Sequence, residues 1–372
     1  MGSVTPYSTK DGKRYRVRYR RPDGTQTDKR GFKTKRDAEL FLSSVEVAKA
    51  KGEYIDLSAA EVRIGTLGAR WVASRKQVLK PSAYRSVESS WRIHVEPKWG
   101  RRTLASVRHS EIQDWVSQMA QTQGASNVLR AHGVLAGVFD TAIKDRSLST
   151  NPARDIALPR KTKKRKAYLS HAQVELLALN SRDPVLIRFL AYTGLRWGEA
   201  AGIRVRHLDL ARRRIRIEEN AVMVNNTVII GTPKSHKHRA VPIPPFVLDI
   251  LALRAQTRNP EDYIFGAGTD PLRLPNSQDG WFAGAVRRAQ KVDPNLPRVT
   301  PHDLRHTAAS LAVSAGANVK AVQRMLGHAS AAMTLDTYSD LFDDDLDGVS
   351  VALDRARTSS LRDLPWHEHD ET

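Results

Sequence analysis

The sequence predicts a multidomain, mainly α chain that carries small β-sheets. Three observations lead there. Arg14 to Arg20 reads R-Y-R-V-R-Y-R, a strict period of two. Asn127 to Ile143 places Leu129, Val134, Leu135, Val138, Phe139 and Ala142 at helical spacing. Between Leu208 and Pro242 short strand patterns interrupt a region that is otherwise helical: Arg214 to Glu218 alternates, Thr227 to Ile230 is β-branched, and Ala240 to Ile243 follows a basic turn.

In chain order, the first element is the basic strand. Its alternation puts Arg14, Arg16, Arg18 and Arg20 on one face and Tyr15, Val17 and Tyr19 on the other, so one face packs and the other is cationic. Pro22-Asp23-Gly24-Thr25 is a turn, Thr27 to Phe32 a return strand, and Thr34 a cap for a helix whose Phe41, Leu42, Val45 and Ala48 form an apolar stripe. Like charges side by side on a pleat repel, so four arginines there suit phosphate or groove contacts better than a merely soluble surface.

A spacer from Gly52 to Ala60 leads to a helical region, residues 61–152, which Asn151-Pro152 closes because a residue before proline leaves the helical basin. Residues 153–167 read as a linker; its segment Arg160 to Lys166 has six bases in seven positions, Lys163 and Lys164 among them. Such a run extends in water and lies readily along a phosphate backbone, although a nuclear-localisation signal has the same composition. The third region, 168–339, starts with the capping box Ser170-His171-Ala172-Gln173; Asp183-Pro184 opens another helix, which Gly194 ends. Residues 340–372 form an acidic tail.

Composition narrows the function. The chain has 372 residues, 60 Lys plus Arg against 40 Asp plus Glu, a net charge of +20, 40% hydrophobic residues and no cysteine. Absence of cysteine excludes disulfides, thiol nucleophiles and Cys-ligated metal, and suits a reducing compartment. No run approaches the roughly 20 apolar residues of a membrane span, and the start lacks an apolar signal core, so no membrane partner and a cytoplasmic location are expected. Ten acids and three arginines between Asp340 and Thr372 leave +27 on the preceding 339 residues. That surplus asks for a polyanion such as nucleic acid.

Four segments of the third region carry the reactive side chains: T-G-L-R-W-G-E from Thr193, T-P-K-S-H-K-H-R from Thr232, T-P-H-D-L-R-H from Thr300, and L-G-H-A-S-A-A-M-T-L-D-T-Y from Leu326. In this order they resemble the tyrosine recombinases, the phage integrase family. The basic sheet and helical region are similar to the arm-binding and core-binding domains of larger phage integrases, most of all the mycobacteriophage type. The resemblance implies an arm-binding domain at 1–60, a core-binding domain at 61–152 and an α+β catalytic domain at 168–339. It further implies strand breakage and rejoining through a 3′-phosphotyrosyl link, and a homotetramer on double-stranded DNA with core and arm attachment sites. A host DNA-bending protein and an excision directionality factor are the implied accessory partners, and no cofactor is implied.

The residue types suit that chemistry. Metal-free attack on a phosphodiester needs fixed cations for the charge gathering on the nonbridging oxygens, and the guanidinium groups of Arg196 and Arg305 meet two oxygens with a planar fork. The resemblance makes Tyr338 the nucleophile. A phenol with a pKa near 10 needs a cationic pocket and a proton acceptor, for which His302 is the candidate. His328 would donate to the phosphate and Lys234, with Lys237 its rival, would protonate the leaving 5′ oxygen. Glu199 takes a supporting place or pairs with Arg196, and Thr334 supports the helix of Tyr338. Lys80, Ser82, Arg85 and Arg130 are the expected DNA contacts of the helical region.

Other readings stay open at this stage. A metal-dependent nuclease would use His302 and His306, four apart, with Asp343 to Asp345 or His367-Glu368-His369; no H-E-x-x-H accompanies them. A DNA-binding regulator without catalysis, a chromosome-dimer-resolving recombinase and a type IB topoisomerase share parts of the pattern. After Tyr338, Leu341, Phe342, Leu346, Val349 and Leu353 form an apolar stripe that suits docking either on a neighbouring subunit or on its own domain.

Overall fold

A computed structural model describes residues 2–50, 54, 61–162, 166–232, 239–338 and 346–362. The chain divides into two compact units, residues 1–163 and 164–372, each described by itself.

The first unit begins with an antiparallel sheet, β1 (Ser3–Thr9), β2 (Gly12–Arg20) and β3 (Gln26–Phe32), with β2 central. Strand β1 was not foreseen because Pro6 interrupts it; a proline that cannot join a ladder on one side is tolerated at this edge. Val17 and Tyr19 are buried against α1 (Lys35–Ala50), along with Ala38 and Val45, and Tyr54 closes the same core. Thr34 Oγ1 accepts from the Asp37 amide at 3.1 Å, the expected cap. Arg18 and Arg20 are exposed, whereas Arg14 and Arg16 are half-buried and Arg16 Nε donates to Thr5 Oγ1. Asp28 lies opposite Arg18, so one carboxylate relieves the cationic face.

The helices of this unit are α2 (Ile64–Arg75), α3 (Pro81–Ser90), α4 (Glu96–Trp99), α5 (His109–Thr122) and α6 (Ala125–Lys144). Between α3 and α4 the backbone widens into one π turn, Trp91–Val95, just before Pro97, a residue that cannot donate to a regular helical ladder. Helix α6 buries Val128, Ala131, Val134, Leu135, Val138, Phe139 and Ala142; Leu129 is only half-buried, because the apolar face begins one residue earlier than the sequence suggested. Lys80, Ser82, Arg85 and Arg130 are exposed. Packing continues past Pro152: Ala153 and Ile156 are buried and Leu158 lies against this core, so the linker expected from residue 153 starts later. Asn151 makes that continuation possible by donating to Asp140 and the Ala136 carbonyl while accepting from the Ala153 amide.

In the second unit α7 (His171–Leu179) starts with the Ser170–Gln173 capping box. Helix α8 (Pro184–Thr193) buries Leu186, Ile187, Phe189, Leu190 and Ala191, nearly all round, because it runs through the core. Next come α9 (Trp197–Ala201), a sheet of β4 (Leu208–Asp209), β5 (Arg214–Ile217) and β8 (Arg239–Pro242) in that order, and a hairpin of β6 (Asn220–Val224) and β7 (Thr227–Gly231). The β6 strand was also unforeseen. Its signal is Asn225-Asn226, both at positive φ, the two-residue turn that suits a right-twisted hairpin. Helices α10 (Pro245–Ala255), α11 (Trp281–Val292), α12 (Asp303–Ser314), α13 (Val319–Leu326) and α14 (Ala331–Tyr338) complete the domain, and α15 (Leu346–Arg362) follows. Leu353 on α15 is exposed; the remaining members of its expected stripe, Leu341, Phe342 and the side chains of Leu346 and Val349, lie outside what is described. No helix among the described residues is long and apolar enough to cross a membrane.

Candidate active site

Two glycines in the left-handed region set the site. Gly194 (φ 65°) ends α8, and a Cβ there would lie 2.6 Å from Leu326 Cδ2. Gly327 (φ 66°) ends α13, and its Cβ would meet the Arg239 guanidinium carbon at 2.8 Å. Only glycine allows both the turn and the approach. Each turn therefore brings an arginine close to backbone. Arg305, from α12, donates through Nη1 to the Gly194 carbonyl at 2.7 Å, and Arg239, from β8, lies under Gly327.

The chain after Gly194 runs extended to Arg196, which caps α9. Glu199, one turn later, is 1% exposed and accepts four hydrogen bonds, three of them from two guanidinium groups. Arg239 grips it with two nitrogens, at 3.0 and 2.7 Å, Arg196 Nη1 donates at 2.9 Å, and the Arg196 amide donates at 3.0 Å. Burial alone would raise this carboxyl, but the Arg239 fork and Arg196 hold it below the ordinary glutamate value. The Arg196–Glu199 pair weighed as an alternative to catalysis thus exists, and it fixes the guanidinium that the resemblance assigns to phosphate.

Arg305 is 2% exposed, and its Nη2 is buried without a hydrogen-bond partner. Burial, with Arg196 nearby, lowers it to about 10, so it remains ionised at neutral pH. A guanidinium with an unused buried donor is costly unless an anion completes it.

Tyr338 ends α14 with 0% exposure, its ring packed among Ala309, Val313, Val322 and Leu326. Ordinary packing therefore accounts for the ring, and the hydroxyl is the distinctive part. His306 Nδ1 lies 2.8 Å from that hydroxyl. Burial pushes the phenol up to about 12, against the pull of Arg305, and lowers the His306 imidazole to about 4. His328 stacks on the Tyr338 ring at 6.3 Å and shares Nδ1 with Thr334 Oγ1 at 2.9 Å, so Thr334 orients an imidazole as well as belonging to the helix. Lys166 Nζ stands 5.0 Å from the Tyr338 ring centroid.

The cluster thus contains Arg196, His302, Arg305, His328 and Tyr338. Lys234, Lys237, Lys163 and Lys164 lie outside the described residues, as do Asp343 to Asp345 and His367 to His369. The histidine at the Tyr338 hydroxyl is His306, whereas His302, the expected proton acceptor, stands at the cap of α12, is exposed and meets the His306 ring edge to face at 5.1 Å. The spacing of four that suggested a metal pair instead lets one imidazole face out and the other face α14. Among the described residues no three His, Cys, Asp or Glu side chains converge as a metal site. Arg239 and Lys166 were missed although both end basic segments already singled out; in a run of bases only packing reveals which one turns inward.

Known proteins resemble this chain over most of its length. Residues 163–344 match the phage integrase family and residues 6–48 an arm DNA-binding domain. A transposase from transposon Tn916 of Enterococcus faecalis is 27% identical over 335 residues, 82% of this chain and 81% of its own. The integrase of Mycobacterium phage D29 is 24% identical over 323 residues, 82% and 84% of the two chains. The Tn1549 transposon integrase, in complex with transposon right end DNA, shares the fold with a TM-score of 0.65 at 24% identity, covering 78% of this chain and 100% of that one. Residues 163–344, which hold the buried tyrosine, therefore form a domain of the phage integrase family.

Proposed function

We propose that the chain is a site-specific integrase that breaks and rejoins double-stranded DNA at attachment sites through Tyr338. One observation supports this above the rest: the Tyr338 hydroxyl shares a cluster with Arg305, whose buried Nη2 lacks a partner until an anion arrives. In the proposed step the Tyr338 oxygen bonds phosphorus and the bond from phosphorus to the 5′ oxygen breaks. The phenolic proton passes to a base, and Lys234 supplies one to the 5′ oxygen. Arg196 and Arg305 neutralise the nonbridging oxygens, His328 donates to one of them, and His302 stands at the exposed side of the cluster. The phosphotyrosyl bond conserves the energy of the broken one, so the reaction needs neither divalent metal nor ATP.

The remaining assignments follow from the same reading. Residues 1–60 hold arm sites through Arg14, Arg16, Arg18 and Arg20. The helical region, whose packing extends to Leu158, holds core sites with Lys80, Ser82, Arg85 and Arg130, while Lys163 and Lys164 lie along the backbone between. Exchange needs two strand breaks in each of two duplexes, hence a homotetramer, with the acidic tail as a docking element. A host bending protein and a directionality factor complete the system, in the bacterial cytoplasm.

The test is a nicked suicide duplex carrying the attachment core, incubated in EDTA without nucleotide. A covalent protein–DNA adduct that disappears in Tyr338→Phe is expected. An adduct that survives that substitution, or that requires magnesium, contradicts the proposal.

A further inference from the structure

Two imidazoles, His306 and His328, lie against Tyr338, and a third, His302, lies against His306. We infer that His306, rather than His302, takes the hydroxyl proton of Tyr338 as its oxygen attacks phosphorus. This inference rests on the proposed nucleophile.

Geometry separates the three histidines. His328 has Nδ1 committed to Thr334 and offers Tyr338 its ring face, not a nitrogen. His302 is exposed and touches the edge of His306, with no hydrogen bond to Tyr338 among the described residues. His306 places a ring nitrogen 2.8 Å from the phenol oxygen, inside the range for proton transfer. Burial and the charges nearby, His302, Lys166 and Arg305 opposed by Asp303, keep His306 neutral at physiological pH. A neutral imidazole with its hydrogen on Nε2 presents a lone pair on Nδ1. Because so weak a base cannot strip a free phenol, transfer is concerted with attack: the proton leaves as charge moves from the phenol oxygen to phosphorus and is shared with the arginines. In religation the flow reverses, and the protonated His306 returns its proton to Tyr338 as the phosphotyrosyl bond breaks.

His306→Asn provides the decisive comparison, since an amide can hydrogen-bond to the phenol from a similar position but cannot accept its proton. Single-turnover cleavage is measured on suicide duplexes with oxygen or sulfur at the bridging 5′ position; sulfur departs without a general acid. Both His306→Ala and His306→Asn are expected to slow adduct formation about 10²–10⁴-fold on either duplex. Lys234→Ala, acting on the leaving group, is expected to recover on the sulfur duplex. His306→Asn within about threefold of the parent rate would show that a hydrogen bond suffices, and recovery of His306→Ala by sulfur would place His306 at the leaving group. Either result overturns the inference. DNA affinity and thermal melting of His306→Asn check folding. Failure of Tyr338→Phe to abolish the adduct would instead overturn the nucleophile, which keeps the two proposals distinguishable.

Discussion

Arginine sits in two different environments in the two units. On β2 it is repeated, outward and interchangeable: Arg18 and Arg20 are exposed, and Asp28 relieves their repulsion. In the second unit Arg305 is buried and Arg239 half-buried, each beside a positive-φ glycine, and Glu199 holds Arg239 and Arg196. Exposed guanidinium groups act additively and are screened by salt, so they supply affinity. Buried ones cannot relax, so they present fixed charge to a developing transition state. On the proposed function, the same side chain serves as a handle or as a reagent according to burial.

The comparison breaks most readily at Arg305. Arg305→Ala is expected to lower single-turnover cleavage by about 10³-fold or more while DNA affinity changes little. A parallel loss of affinity would show that the buried arginine is only another handle. Next in size is Glu199→Gln, which leaves Arg239 and Arg196 crowded without their counter-charge. The second unit should lose about 3–5 kcal/mol in urea unfolding, and an unchanged midpoint would deny Glu199 its role as keystone.

The basic strand, the helical periodicity, the Ser170–Gln173 capping box and the four segments of the third region can all be read from the residues, because each is a local pattern. What could not be read depends on neighbours distant in sequence. Pro6 hid β1, since a proline is acceptable only at an edge and edges are decided by topology. His306 and His302 lie in one motif, and only the packing of α14 against α12 decides which faces Tyr338. Arg239 reads like one more base in T-P-K-S-H-K-H-R, and only the close approach of Gly327 and the Glu199 carboxylate give it a half-buried, fixed place.

Two smaller effects sharpen the contrast. His306 and His328 are held down to about 4 by burial, so the folded protein leaves them neutral where the unfolded chain protonates them, between about 4 and 6.5. The unfolded state binds more protons there, and stability of the second unit should fall as pH drops through that window and level off above it. Urea unfolding from pH 4 to 7.5 should show a shallower dependence in His306→Asn; identical slopes would rule out its burial as the cause. The smallest effect belongs to the arm: Arg18→Ala combined with Arg20→Ala should reduce the salt slope of arm-DNA binding by about two while core cleavage persists. Core cleavage falling with arm binding would contradict the division of labour.

The most direct measurement is to digest the trapped protein–DNA complex and identify the peptide that carries the nucleotide. The account predicts a phosphodiester on Tyr338 joined to the 3′ end of the broken strand. Attachment to another residue, or to the 5′ end, would contradict it.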